Sequence, residues 1–436
     1  MYLTAMTHRE ELFDLTLRWI NDDFHPGDGE TLTRIFVYES AISSVAVERV
    51  FDILDSLFGP GLRTQRLRRK HDLRERIIEH LGVHTPRVDE LAETFRRNPR
   101  YFFPHLPIDA LIVTDEASRL VAIGRIKRMA RVAEKVSFRL VEALFREIRA
   151  TARELAGMRA AAAGVPLDAL VSPPEVMRQD FILAEESVAG SLMNRTIRIP
   201  AGALTINDVV GFKIVAPQDT LDRIPEALER EPGIAVREIE RHSGAYNALN
   251  LLLDTDLPPS DTLTGRLEDM DWAIARQHGL DPDTVRRGIA GYVAAVEPRV
   301  RIELILTTPE ELMEAEFGRS IHELRVLRLR RRQEYNGPLG QNAGYLIEYM
   351  LTLAASPTVD IPEIPIKMYG RYLPEEIAAL KRALYGEATE GGLLGTFWPH
   401  ASPPFLPHEN STPEPVSTTD NERSRHAPGE SPGNST

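Results

Sequence analysis

The run Arg299-Val300-Arg301-Ile302-Glu303-Leu304-Ile305-Leu306 constrains this chain more than any other. Its large aliphatic residues predict a β-strand, and Thr308-Pro309-Glu310-Glu311 immediately after it predicts the start of a helix. Thr308 suits the cap, Pro309 the first turn, and the two glutamates the positive end of the helix. In a strand with a period of two, Glu303, Ile305 and Thr307 share one face. Glu303 therefore places a carboxylate among aliphatic neighbours. Left unpaired there it costs free energy, and its simplest uses are to hold a metal or to take a proton.

The same reading along the chain predicts further strands at 110–113, 120–124, 209–215, 234–239 and 246–253. Helices are predicted at 127–162, 176–193, 219–230, 263–277, 282–296, 343–353 and 374–385, with the helix after Pro309 running towards 332. Residues 9–97 read as helical throughout, and the basic run 63–76 as a solvated helix face. The expected fold class is α+β, a mixed sheet flanked by helices. The expected organisation is a helical N-terminal region at 1–107, a core at 108–335 with a helical insertion near 140–200, and C-terminal helices at 336–390. Residues 391–436, rich in Pro, Ser, Thr, Asn and Gly, are expected to form a disordered tail.

Charge narrows the function classes. Lys and Arg number 52 against 65 Asp and Glu, a net charge of -13, which argues against broad binding to nucleic acid or an anionic membrane. The chain has no cysteine, so disulfides, thiolate zinc sites and cysteine nucleophiles are excluded. No apolar run approaches membrane-spanning length, and the first residues lack the basic-then-apolar pattern of an export signal, so a cytoplasmic protein is expected. The phosphate loop, the zinc-protease helix and the serine-hydrolase elbow are all missing from the sequence. His71-Asp72 lacks convincing partner ligands and reads as surface charge.

Three segments could carry chemistry together. In Gly124-Arg125-Ile126-Lys127 and the helix that follows, Lys127, Arg131 and Lys135 recur every four residues and would share a helix face able to grip phosphates. Asp208 enters the apolar run 209–215, which also contains Lys213. Glu303 opens the third segment, which continues to Glu316, Gly318 and His322. If Asp208 and Glu303 sit on neighbouring strands, the pair could hold Mg2+, which usually takes one or two carboxylates and completes its shell with water and phosphate.

The order and spacing of these segments resemble the synthetase domain of the RelA/SpoT family, over roughly residues 124–322. That family has a Gly-Arg-x-Lys turn with another Lys eight residues later, matched by Lys127 and Lys135. It has an Asp opening a strand of the form Asp-x-x-x-x-Arg, matched by Asp208 with Lys213 in place of Arg. Its Gly-Tyr-x-Ser-x-His segment is similar to Ala245 through Asn250. Its Glu-x-Gln-x-Arg-Thr strand and following Glu-Tyr-Gly and His are similar to Glu303 through Thr308, Glu316-Phe317-Gly318 and His322. Ile305 and Thr307 replace the Gln and Arg of the Glu strand, and Asn250 replaces the His.

The resemblance implies a nucleotidyltransferase-like synthetase core and a GTP diphosphokinase-like transferase of the stringent response. It would be a Mg2+-dependent enzyme moving pyrophosphate from ATP to the 3'-hydroxyl of GDP or GTP, to make (p)ppGpp. It implies that Arg125 lies against the donor adenine and that Lys127 and Lys135 neutralise its phosphates. Asp208 and Glu303 become the catalytic and metal-holding residues, and Tyr246 stacks on the acceptor base. Lys213, Arg241, Asn250 and His322 complete the expected nucleotide-binding set. Two other readings fit the same residues: a pyrophosphokinase with another acceptor, such as an adenine nucleotide or tRNA, as in a toxin, or a non-catalytic nucleotide-binding or interaction protein.

Overall fold

Alternating apolar residues build a mixed sheet, seen in a computed structural model that describes residues 9–194, 196–197, 205–330, 335, 337–385 and 396–397. Among the described residues the strands are β1 (Arg63–Arg69), β2 (Pro107–Thr114), β3 (Leu120–Ile126), β4 (Val210–Val215), β5 (Ile234–His242), β6 (Ala248–Asp256) and β7 (Arg299–Thr307). They lie side by side in the order β1-β2-β3-β4-β7-β6-β5. Strands β4 and β7 run parallel, and every other neighbouring pair is antiparallel.

One face of the sheet is apolar. Val300, Ile302, Leu304 and Leu306 of β7 are buried beside Val210, Phe212 and Ile214 of β4 and Leu251 and Leu253 of β6. The helices Asp28–Phe58, Met129–Ala162 and Pro338–Ala354 join these residues in one hydrophobic cluster. Gly124 of β3 makes room for it: its register partner is Phe212, and a Cβ at 124 would lie 2.6 Å from the Phe212 ring. The other face is divided. Over β1 to β3 the helices Lys70–His80, Pro86–Arg97 and Pro309–Phe317 cover Ala110, Ile112 and Ile123 in a second cluster. Beyond it the same face carries a row across the strands, Arg125, Gly211, Glu303, Leu252 and Glu238. Lys213, Ile305, Asn250 and Glu240 form the next row.

The central strands and the helices at 129–162, 174–193 and 282–295 lie close to where their periodicity predicts them. Thr308 caps its helix as expected, accepting from the Glu311 N–H. Several expectations need correction. Residues 63–69 are not part of a helix: they form edge strand β1, paired along β2, with Leu67 as its buried residue. The N-terminal residues are therefore not a helical region apart, because β1 belongs to the sheet and all described residues fall in one compact unit. The helix after Pro309 stops at Phe317, since the Glu314 carboxylate turns back onto the Arg319 N–H, and a second helix spans His322–Arg330. The stretches 219–230 and 263–277 each break into two short helices. Residues 331–332 and, except for 396–397, the expected tail at 391–436 lie outside the described residues. No helix among the described residues is long and apolar enough to cross a membrane.

Candidate active site

The parallel pairing of β4 and β7 brings Glu303 of β7 near Asp208, which lies in the turn before β4 rather than on a strand. Gly211 is the register partner of Glu303 and adds no side chain there, and Asp208 lies just upstream of Gly211 on the same chain segment. Lys127, immediately after β3, donates to an Asp208 carboxylate oxygen at 2.7 Å and to its carbonyl oxygen. Lys135, two turns into the helix Met129–Ala162, donates to the same carboxylate oxygen. The eight-residue spacing of the two lysines works because the Lys127 N–H still bonds to the Val209 carbonyl, 2.9 Å away, holding the end of β3 against the entry to β4. Arg131 takes no part, pairing instead with Glu134.

The two carboxylates are pushed in opposite directions. Burial acts to raise the pKa of Asp208, but Lys127 and Lys135 outweigh it and hold the group well below the usual carboxylate range. Glu303 is pushed up, by burial first and by the Asp208 charge second, with Lys127, Lys135 and Lys213 only partly opposing. Among the described residues Glu303 has no ion-pair or hydrogen-bond partner, so one carboxylate is doubly paired and the other unpaired. A divalent cation fits such a pair, because it would relieve the repulsion that Glu303 feels from Asp208. No group of three metal-ligating side chains occurs among the described residues, so two carboxylates, with water and phosphate, would have to suffice.

Next to this pair lies a buried charge network that the sequence did not reveal. Glu316, 1% exposed, receives Lys70 Nζ at 2.6 Å on Oε2, and Arg125 at 3.3 Å and Lys213 at 3.9 Å on Oε1. Glu323 pairs with Lys70 at 3.1 Å and Arg74 at 2.9 Å. Arg74 also donates to the Glu316 carbonyl and lies over the Phe102 and Phe317 rings. Burial acts to raise the pKa of Glu316, yet Lys70, Arg125, Arg74 and Lys213 together hold it well below its usual value. Lys213 is driven down to about 8, chiefly by burial, with Arg125 and Lys70 adding to the effect and Glu316 opposing it.

No family model, curated protein or solved structure matches this chain. The geometry therefore stands by itself. It puts Arg125, Lys213 and Glu303 on one sheet face and, at the end of β3 and the entry to β4, sets Asp208 with Lys127 and Lys135 beside them. Tyr246 lies in the turn before β6 rather than in the strand, with the Arg325 guanidinium 4.0 Å from its ring centroid. Asn250 is on the site face opposite Ile305, and its Oδ1 is buried without a partner. His322 stands at the rim; its outer surface is open, but crowding by protein and the Arg125 and Lys70 cations hold its imidazole well below the usual pKa, hence neutral.

Arg241 is not brought to the site. Its partner in the ladder is Leu249, on the apolar side of β6, and it lines a cavity of about 110 Å³ with His242, Asn247 and Thr307. The residues missed by sequence reasoning are Lys70, Arg74, Glu323 and Arg325. A signal existed for two of them: Lys70 and Arg74 are four apart and so share a helix face, but the surrounding arginines hid which face was buried.

Proposed function

We propose that the chain is a Mg2+-dependent nucleotide pyrophosphokinase built on a nucleotidyltransferase-like core, taking pyrophosphate from ATP to a ribose 3'-hydroxyl. The observation that carries this reading is the unpaired, raised Glu303 carboxylate of β7 beside Asp208, which lies in the turn that enters the parallel strand β4, with Lys127, Lys135 and Lys213 around them. An acidic chain that gathers Arg125, Lys127, Lys135 and Lys213 on one surface has assembled a receptor for a polyanion. Arg125 would lie along the adenine, and Lys127 and Lys135 would leave Asp208 in part to bind the donor phosphates. Asp208 and Glu303 would hold Mg2+, which when bound would neutralise phosphate charge.

The balance of the reaction is simple. The 3'-oxygen bonds to the β-phosphorus of ATP, the bond between that phosphorus and the bridging oxygen to the α-phosphate breaks, and AMP leaves. Glu303 would share the metal or, where Asp208 alone holds it, accept the hydroxyl proton, a role to which a carboxylate raised by burial is suited. Tyr246, with Arg325 on one ring face, would offer the acceptor base its other face. GDP or GTP is the acceptor the reading favours. Incubation with ATP labelled in the β- and γ-phosphates, Mg2+ and a panel of GDP, GTP, ADP and tRNA tests it: label should move to a guanine nucleotide. Transfer to ADP or tRNA alone would replace the acceptor and keep the reaction, and no transfer to any of them would end the enzymatic reading.

A second reading rests on Asp208 itself. With two lysines on its carboxylate, the site could bind a nucleotide without turning it over. ATP binding with no label transfer would favour that outcome.

A further inference from the structure

The buried carboxylate of Glu316 is shared unequally. Lys70 holds Oε2 at 2.6 Å, while Arg125 and Lys213 approach Oε1 at 3.3 and 3.9 Å. A guanidinium beside a free carboxylate normally pairs through two parallel N–H···O bonds, and in a dry setting that pairing is strong. Here the second oxygen already faces the Lys70 ammonium as an ion pair without hydrogen-bond geometry, with Arg74 3.6 Å away, so Arg125 is left with a single long contact and remains one-third exposed on its side chain. Lys70 is itself fully buried and held by Glu316 and Glu323, both from the segment after β7. It has no exposed surface with which to meet a ligand.

We propose that Lys70 is a positioning residue of the nucleotide site: by occupying one oxygen of Glu316, it keeps Arg125 and Lys213 from being captured by that carboxylate and leaves them free for the anionic ligand. The inference rests on the nucleotide-binding reading above and adds a role for the N-terminal part of the chain. Lys70 comes from the helix Lys70–His80, Arg125 from β3, Lys213 from β4 and Glu316 from the helix Pro309–Phe317. The network ties that first helix to the site through side chains alone. Arg74 supports it by holding Glu323 and the Glu316 carbonyl.

A specific pattern of rescue is expected. In Lys70→Met, Glu316 loses its main counter-ion and draws Arg125 into a two-bond pair, so affinity for Mg2+-ATP drops at least about tenfold. In Lys70→Met with Glu316→Gln, the captor is gone together with its guard, and affinity returns to within about threefold of the unmodified chain. Lys70→Arg, which keeps the charge, binds nearly as the parent does. Binding of labelled ATP by equilibrium dialysis reads this out without requiring turnover, and thermal unfolding of each full-length variant shows which of them is folded.

Binding by Lys70→Met equal to that of the parent overturns the proposal. So does weak binding by a folded double variant, which would mean that the loss in Lys70→Met does not come from capture of Arg125 by Glu316. If Lys70→Met does not fold, the folded double variant carries the test: parent-like affinity supports the proposal. If neither folds, Lys70→Arg decides, because a folded Lys70→Arg with lost affinity would show that pairing geometry rather than charge is required and would overturn it. A parent chain that binds no ATP fails the nucleotide reading first and takes this inference with it, a result distinct from failure of the variants alone.

Discussion

Glu303 is the residue on which the chemistry turns. Its carboxylate is raised by burial and by Asp208, and no cation is paired to it. Glu303→Gln keeps the size and removes the proton acceptor, so label transfer should fall by about 10²–10⁴-fold while affinity for ATP without Mg2+ changes little, as read by parallel rate and dialysis measurements. Lys213 gives a prediction in pH. Burial, with Arg125, Lys70 and Arg325, lowers its amine from 10.5 to about 8 against the pull of Glu316. The charged form is disfavoured in the folded state, so its contribution to stability rises with pH between those two values. Affinity for an anion moves the other way, falling as the amine discharges above about 8, and Lys213→Arg should flatten that profile in ATP-binding titrations. Strand alternation marked Glu303 as the carboxylate on the face opposite Val300, Ile302, Leu304 and Leu306, whereas regular periods do not account for Lys127, Lys135 and Asp208: helical spacing equally named Arg131, which pairs with Glu134, and Asp208 sits in a turn. Lys70 and Arg74 were not legible, since nothing local distinguishes them from Arg66, Arg68 and Arg69 beside them. Only the approach of Glu316 and Glu323, far away in sequence, makes them interior groups.

At the scale of elements, the strands that frame the site were read from their period-two patterns, and β1 was not. Its residues are mostly basic, and it is a strand only because β2 offers an edge and Asp109, buried beneath, accepts Arg66 through both carboxylate oxygens. Arg241 was misplaced for a related reason: β5 is exposed on both faces, so composition could not tell which side of it meets the site. Gly124 was singled out for its place in a motif, and its neighbours give it a packing role as well. Gly124→Ala would force a Cβ against the Phe212 ring and should destabilise the chain by about 1–3 kcal/mol, measured by the shift in denaturant midpoint. The cap at Thr308 is cheaper to lose: Thr308→Ala should cost about 1 kcal/mol in the same experiment.

Over the whole molecule, the N-terminal part belongs to the sheet and to the site. A chain beginning at residue 108 would lose β1, β2's first residue and the helix that supplies Lys70 and Arg74, leaving Glu316 and Glu323 buried without their closest cations. Breaking buried pairs in this way costs about 3–5 kcal/mol for each charge left uncompensated. Such a fragment should show no cooperative thermal unfolding. The central claim is pyrophosphate transfer at the Asp208–Glu303 pair, and phosphorus NMR of the reaction of ATP with GDP or GTP tests it most directly. The account predicts AMP and a 3'-pyrophosphorylated nucleotide in equal amounts, with both lost in Glu303→Gln. ADP and inorganic phosphate as the products, or AMP formation that survives in Glu303→Gln, would contradict it.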